Sequence, residues 1–236
     1  MDVKTATDVG QVRQNNEDAF WVTPSCLVVC DGMGGHLAGE VAADVAIKAI
    51  QSYPFSGKSP KEEVLAAIRQ AQEHILDASA RNKDYHGMGS TITLAWVSDP
   101  DHDGRSTLTV GHVGDSRCYI FSDGALKQVT QDHSIVGELL RSGTITAAEA
   151  RTHPKKNMVT QALGAREIQI DLITHDLAPG TLVMLCTDGL TDLVDDALIE
   201  QRLRQGFDSG NLAQELVDLA NQSGGVDNVT VIVAKV

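Results

Sequence analysis

Apolar residues along this chain fall mainly into short runs rich in Val, Ile, Leu and Thr, a pattern typical of β-strands. The runs predict strands at 18–23, 26–30, 90–97, 106–113, 117–121, 168–173, 181–187 and 228–235. Apolar positions recur with helical spacing in four other segments, 38–52, 59–82, 196–205 and 211–222. The pattern therefore predicts more strands than helices.

The order of these elements favours a layered α+β sandwich. The helices arrive in pairs between groups of strands and do not alternate singly with them, which disfavours a doubly wound parallel sheet. The segment 134–157 fits neither pattern because it is polar, interrupted and at most short-helical. Long insertions of this kind in a compact domain are more often functional or mobile than part of the core, so we expect a surface flap there.

Composition and charge exclude several functional classes. The 236 residues carry 19 basic and 32 acidic side chains, and the net charge of −13 repels nucleic acid and anionic lipid. No apolar stretch approaches the roughly 20 residues of a membrane span, and the first residues lack the pattern of a leader peptide. The four cysteines show no CxxC spacing and are interpreted as reduced thiols. We therefore expect a soluble cytoplasmic protein without nucleic-acid or membrane partners.

Acidic residues recur at the ends of the predicted strands. Any one of them alone is interpreted as a turn residue, because Asp-Gly is a common turn signal. If the strand after Asp227 pairs antiparallel with a strand that ends in an acid, however, the carboxylates of both meet at one edge of the sheet. The acids that can converge in this way are Asp31, Asp115, Asp188 and Asp227, with Glu17 and Asp18 beside them.

Converging carboxylates raise one another's pKa and destabilise a fold unless a counter-charge is present. The sequence places few basic residues beside these acids, so a divalent cation is the expected counter-charge. An oxygen-only ligand set, without Cys or His at suitable spacing, points to Mg²⁺ or Mn²⁺ rather than zinc. In this interpretation the carbonyl of Gly32 can approach an ion, while Gly34 and Gly35 open the turn into the next helix.

A dinucleotide-binding fingerprint also has a glycine turn between a strand and a helix. Counted from Gly32, the third glycine of that motif would fall at Leu37, and Asp31 would set a negative charge against a pyrophosphate. Both features disfavour this alternative.

Arg13 lies four residues before Glu17. If Glu17 reaches the acidic cluster, Arg13 lies within a short loop of it, where a guanidinium can bind a phosphate bidentately. The alternative is a solvated surface arginine. Carboxylates, hard metal ions and one fixed arginine together suit the metal-assisted hydrolysis of a phosphate ester.

Eight motifs follow one another along nearly the whole chain: GQVRQNNEDAF, VVCDGMGGHLAGEVAA, GMGSTITLA, GHVGDSRCYI, VTQDHS, HPKKNMVTQALG, CTDGLTDLV and GVDNVTVIV. In these motifs the sequence resembles the bacterial metal-dependent serine/threonine protein phosphatases of the type 2C, or PPM, family. The resemblance implies a four-layer α-β-β-α sandwich, in which two central, mostly antiparallel sheets are flanked by helix pairs. One domain would span residues 1–236, with a flap at about 134–165 near the active site.

The resemblance also implies a site for two Mn²⁺ or Mg²⁺ ions. Asp31 matches the ligand that bridges the two ions. Glu17 and the Gly32 carbonyl match ligands of one ion, and Asp188 and Asp227 match ligands of the other.

Three further residues match other functions of that site. Asp18 matches an acid that acts through metal-bound water, and Asp115 matches a residue that holds a third, weaker ion together with Asp188. Arg13 matches the phosphate-binding arginine.

The implied reaction is hydrolysis of phosphoserine and phosphothreonine on proteins by a water that two metal ions activate, without a covalent intermediate. It would reverse the signalling of a cognate Ser/Thr kinase, and the expected enzyme is a monomer. Many eukaryotic members carry a histidine directly after the Asp-Gly pair, which is interpreted as the acid for the leaving oxygen, but this chain has Met33 there. His36 and a metal-bound water are the two alternatives for that proton.

Two other functions use the same residues. One is a catalytically silent module that binds phosphoproteins, although a silent relative usually lacks one of the acids, and all of them are present. The other is a phosphatase of small phosphate esters or phosphotyrosine, which the same chemistry permits.

Overall fold

The computed structural model describes residues 1–35 and 38–236. The strands are β1 (Asp2–Asp8), β2 (Asp18–Val22), β3 (Cys26–Met33), β4 (Gly89–Ser90), β5 (Ile92–Val97), β6 (Ser106–Val113), β7 (Arg117–Ser122), β8 (Ala125–Gln128), β9 (Asp171–Leu177), β10 (Leu182–Cys186) and β11 (Val229–Lys235). The helices are α1 (Ala38–Ser52), α2 (Pro60–Arg81), α3 (Ile135–Arg141), α4 (Ala147–Thr152), α5 (Asp188–Thr191), α6 (Asp196–Leu203) and α7 (Leu212–Gln222).

The strands form two sheets. Sheet I has the order β1-β11-β10-β7-β8, and sheet II has the order β2-β3-β5-β6-β9, with the short β4 paired to β3. All strand pairs in the described part of the chain are antiparallel. The mostly antiparallel pairing that the sequence predicts is therefore confirmed.

Alternating side chains along β3 show how the layers are built. Leu27 and Val29 point into a core between the two sheets, where they share a cluster with Leu185 and Ile232 of sheet I. Val28 points the other way, into a second core formed with α1 and α2. This two-residue period is the pattern of a strand that is buried on both faces.

The opposite face of sheet I carries the third core. Val231 and Val233 of β11 pack there against a cluster that includes Ile199 of α6 and Leu216 of α7. The layers therefore run α1/α2, sheet II, sheet I, α6/α7, which confirms the predicted α-β-β-α sandwich.

Some predicted boundaries differ from the structure. β1 and β8 were not predicted from their sequences, because β1 is a largely polar edge strand in which only Ala6 is buried, and β8 has no buried residue. The strand predicted at 168–173 instead runs over Asp171–Leu177, where half-buried positions alternate with exposed ones and only Leu177 is buried. β3 continues to Met33, so Asp31 lies within a strand and not after its end.

The connection between β8 and β9 contains the flap, residues 134–165. Backbone hydrogen bonds close its base, from Ile135 N to Met158 O at 3.0 Å and from Thr160 N to His133 O at 2.7 Å. Its C-terminal end is held by Gln72 of α2, which donates to the carbonyl of Ala165 at 2.6 Å and accepts from Gly164 N at 2.7 Å. The flap is thus closed at its base and attached to α2 at its C-terminal end.

The four cysteines all lie in strands. Cys26, Cys30, Cys118 and Cys186 are buried and form no disulfide. Burial raises the pKa of each of these thiols. Among the described residues, no helix combines the length and apolarity needed to cross a membrane.

Candidate metal centre

Acids from both sheets lie at the same end of the sandwich. In sheet II, Asp18 of β2 is paired directly across from Asp31 of β3. In sheet I, Asp188 follows β10 and opens α5, and Asp227 precedes β11, which runs antiparallel to β10. Asp115 lies in the turn that leads from β6 of sheet II to β7 of sheet I. The antiparallel pairing brings strand ends that are distant in sequence to one place.

A cavity of about 240 Å³ opens among these acids. Seven of the catalytic and metal-binding residues predicted from the sequence line it: Arg13, Glu17, Asp31, Gly32, Asp115, Asp188 and Asp227. Asp18 lies beside the cavity, where its charge acts on Asp31. His36 lies outside the described residues.

Burial and mutual repulsion disfavour the ionised forms of these carboxyls. Burial raises the pKa of Asp31 well above its usual value, and the nearby Asp188 and Asp18 raise it further. Burial likewise raises the pKa of Asp115, with Asp188 as the next cause. The pKa of Glu17 is also raised, mainly by burial, while Arg13 opposes the rise.

Two of the acids have buried oxygen atoms without a partner. Asp18 Oδ2 accepts hydrogen bonds from Thr187 Oγ1 at 2.8 Å and Thr230 Oγ1 at 2.7 Å. Its Oδ1 atom and the Oδ1 atom of Asp188 are buried with no hydrogen-bond partner. Burial raises the pKa of Asp18 to about 7 and that of Asp188 to about 6. Buried, unpaired carboxylate oxygens are the donors that a hard divalent cation requires.

A glycine in α1 keeps space open next to Glu17. A Cβ atom placed on Gly39 would lie 2.7 Å from Glu17 Oε2 and 2.8 Å from the Gly32 carbonyl oxygen. The carboxylate and the carbonyl therefore meet at a point that any larger residue would fill.

Among the described residues, no group of three or more His, Cys, Asp or Glu side chains is arranged so that it could hold a metal ion without movement. The carboxylates contact other partners, since Arg13 Nη2 donates to Asp227 Oδ2 at 2.9 Å and two threonines bind Asp18. The oxygen-only donor set, the unpaired oxygens and the space at Gly39 nevertheless fit a hard cation.

Comparison with known proteins assigns the chain to a family. The family model for protein phosphatase 2C matches residues 7–222. The chain belongs to the protein phosphatase 2C family.

Two curated members of the family show how far the similarity extends. The serine/threonine protein phosphatase PstP of Mycobacterium tuberculosis is 37% identical over 234 residues, which cover 98% of this chain and 44% of PstP. The chain thus spans less than half the length of that relative. The serine/threonine phosphatase Stp of Listeria monocytogenes is 31% identical over 247 residues, which cover 100% of this chain and 96% of Stp.

A solved structure in the family shares the whole fold. It is the PstP catalytic domain in complex with two manganese ions, with a TM-score of 0.90 and 35% identity, covering 99% of this chain and 97% of that one.

Within this type 2C phosphatase fold, several site residues were missed from the sequence. Gly39 was missed, although a glycine inside an alanine-rich helix costs about 1 kcal/mol relative to alanine and so signals a local requirement. Asn228 was also missed. Its side chain donates to the carbonyls of Val9 and Asn15 and accepts from Glu17 N at 2.8 Å, which fixes the loop that carries Arg13.

A further acid and a flap lysine adjoin the centre. Asp192 raises the pKa of Asp188 and, to a smaller extent, that of Asp115, so it belongs to the same acidic group. Lys156 of the flap donates to Asp192 Oδ2 at 2.5 Å. A second cavity, of about 420 Å³, shares Asp115 and Asp188 with the first and lies between the flap and α5 and α6. The flap therefore supplies a cation at the edge of the acidic group.

We expect the metal-free protein, prepared in EDTA, to lose stability as the pH rises. The folded-state pKa values of Asp18 and Asp188, about 7 and about 6, lie above the roughly 3.9 of an unfolded aspartate. Their stabilising contribution is complete below about pH 4 and is lost as the pH rises through about 7. Thermal unfolding in EDTA between about pH 5 and pH 8 measures this slope.

Saturating Mn²⁺ should flatten that slope, because the ion binds the ionised carboxylates. Asp18→Asn should reduce the slope of stability against pH in EDTA. Asp77→Asn, on the exposed face of α2, should leave this slope as in the unmodified protein. A melting temperature in EDTA that stays constant or rises with pH would contradict the prediction.

Gly39→Ala should weaken Mn²⁺ binding about tenfold or more, because the added methyl group occupies the point where Glu17 and the Gly32 carbonyl meet. Isothermal titration calorimetry with Mn²⁺ measures the affinity. Gly35→Ala is the matched control, since a Cβ there has no heavy atom within 4 Å. Equal affinities for the two variants would show that the space at Gly39 has no role in ion binding.

Proposed function

We propose that this chain is a metal-dependent phosphatase that hydrolyses phosphoserine and phosphothreonine esters on proteins. The observation that carries the proposal is the convergence of carboxylates from both sheets with Arg13 around one cavity. The names of its relatives, serine/threonine phosphatases in two bacterial genera, support the same activity. The manganese-bound PstP domain supports a two-metal site.

The residues that would hold two Mn²⁺ ions are oxygen donors that line the cavity. In the proposal Asp31 would be shared by the two ions, Glu17 and the Gly32 carbonyl would hold one of them, and Asp188 and Asp227 would hold the other. When bound, such ions supply Lewis-acid activation of water at neutral pH.

Acids behind this set complete the proposed ligand shell. Asp18, fixed by Thr187 and Thr230, would hold water at one ion through its unpaired oxygen. Asp115 and Asp188 would hold a third, weaker ion. A buried carboxylate in either place is stabilised in its ionised form only when positive charge is nearby.

Arg13 would bind the phosphoryl group of the substrate. Its side chain is 48% exposed, and among the described residues one of its five N–H groups is used, in the contact with Asp227. The remaining donors can bind two phosphoryl oxygens while Asp227 keeps the guanidinium in place. The ion pair thus positions the arginine.

The proton for the leaving oxygen is not supplied by Met33, which lines the cavity but has no acidic hydrogen. His36 and a water molecule stay the two predicted donors.

Of the other functions, a silent binding module is disfavoured because the acids not only are present but line one cavity together.

Finer parts of the proposal concern the biological setting. Both sheets contribute to one central core, which supports a single domain over residues 1–236 with a flap at about 134–165. Mg²⁺ as an alternative ion, a cognate Ser/Thr kinase acting on the same phosphoproteins in signalling, a monomeric state and a cytoplasmic location stay predictions.

The purified protein should hydrolyse an aryl phosphate only when Mn²⁺ or Mg²⁺ is added. Asp31→Asn should reduce kcat by about a thousandfold or more, because the shared ligand is lost. The same change removes a like charge opposite Asp18, so the variant should unfold in EDTA at the same or a higher temperature. Undiminished turnover after exhaustive chelation would refute the metal requirement.

Arg13→Ala should raise KM for a phosphopeptide about tenfold with a smaller change in kcat, because the phosphate loses its bidentate partner. Arg13→Lys should restore part of the affinity, since a lysine keeps the charge but lacks the planar fork. Steady-state kinetics on one phosphothreonine peptide compares the three proteins. A KM that is unchanged in Arg13→Ala would mean that Arg13 only supports Asp227.

A further inference from the structure

Large hydrophobic side chains are exposed at five positions in the described chain: Val12 at 65%, Met158 at 49%, Val226 at 45%, Leu76 at 39% and Leu172 at 38%. Single exposed apolar residues are ordinary on a protein surface. The three most exposed, however, are each adjacent in sequence to residues that line the metal cavity. Exposed apolar residues that flank a polar site mark a candidate contact surface.

Val12 and Val226 lie on two loops that are joined on both sides of these residues. On one side Gln11 N donates to the Gly225 carbonyl at 2.7 Å. On the other side Arg13 contacts Asp227 at 2.9 Å. The two valines are therefore held next to the arginine to which the phosphate is assigned.

Met158 belongs to the flap, on another wall of the same cavity. Its neighbours Asn157 and Val159 both line the cavity. Its carbonyl accepts from Ile135 N, so the backbone of this residue is fixed by the base of the flap. We call Val12, Val226 and Met158 the apolar rim.

We propose that the apolar rim is a specificity site that binds an aliphatic side chain one or two residues from the phosphorylated residue of the substrate. The inference rests on the proposed phosphatase function and adds a preference to it. The preferred substrates would have Leu, Ile, Val or Met beside the phosphoresidue.

Chain geometry sets the distance over which the rim can act. An extended peptide advances about 3.3–3.6 Å per residue, so a neighbour one or two positions from a phosphoresidue held by Arg13 reaches the adjacent Val12 and Val226. The valines have no donors for the phosphoryl group itself. Their contribution therefore depends on the flanking residues of the substrate.

Charge favours apolar over acidic flanking residues. The chain has a net charge of −13, and carboxylates crowd the cavity beside the rim. Acidic side chains next to the phosphoresidue would be repelled, whereas an aliphatic side chain gains from covering exposed apolar surface.

The test compares kcat/KM for two phosphothreonine peptides that differ only in having Leu or Ser on both sides of the phosphoresidue, with an aryl phosphate as a substrate without flanks. The unmodified protein should prefer the Leu peptide about tenfold. The variant V12S/M158S/V226S should lose most of this preference, measured as the ratio of the two kcat/KM values. The control L76S/L172S removes the other two exposed hydrophobics and should keep it.

Circular dichroism and thermal unfolding check that the variants are folded. If the triple variant is not folded, the double variant V12S/V226S replaces it in the test. An unmodified protein without preference for the Leu peptide, or a variant that keeps the preference, would overturn the inference. Failure of the proposed function gives a different result, since neither phosphothreonine peptide would then be hydrolysed in Mn²⁺, whether or not the aryl phosphate is.

Discussion

Repulsion between carboxylates at one end of the sandwich is the constraint on which the site depends. Sheet II places Asp18 directly opposite Asp31, a like-charge pair that opposes strand pairing. Sheet I adds Asp188 and Asp227 from the antiparallel pair β10 and β11. The core between the sheets, which includes Val29 and Leu185, holds these acids together in spite of their charge. Apolar burial in the middle of the protein thus supports an electrostatically unfavourable cluster at its edge, which becomes favourable once cations bind.

Around this cluster the structure places groups that limit the freedom of each acid. Threonines of β11 and of the turn after β10 orient Asp18, and Arg13 and Lys156 bind Asp227 and Asp192 at two edges. One of these cations lies on the N-terminal loop and the other on the flap. The two segments to which we assign substrate contact therefore also carry the countercharges of the cluster. In the proposed enzyme these ion pairs would couple substrate contact to the positioning of the acids.

Much of the fold could be predicted from the sequence because most of its strands are buried on both faces and have strong apolar runs. The edge strand β1 was missed for the opposite reason, since little of it is buried. The acids of the site could be found from their positions at strand ends and from the ordered motifs. Gly39, Asn228 and the partner of Arg13 could not, because their roles depend on contacts between segments that are far apart in sequence.

The burial of the four cysteines has a consequence for redox chemistry. Peroxide attacks thiolates, and these thiols are both buried and held protonated by their raised pKa values. A phosphatase with a cysteine nucleophile is inactivated when that thiolate is oxidised, whereas a site built from carboxylate oxygens offers no comparable target. Phosphate removal as proposed for this chain would therefore not depend on a reactive thiolate.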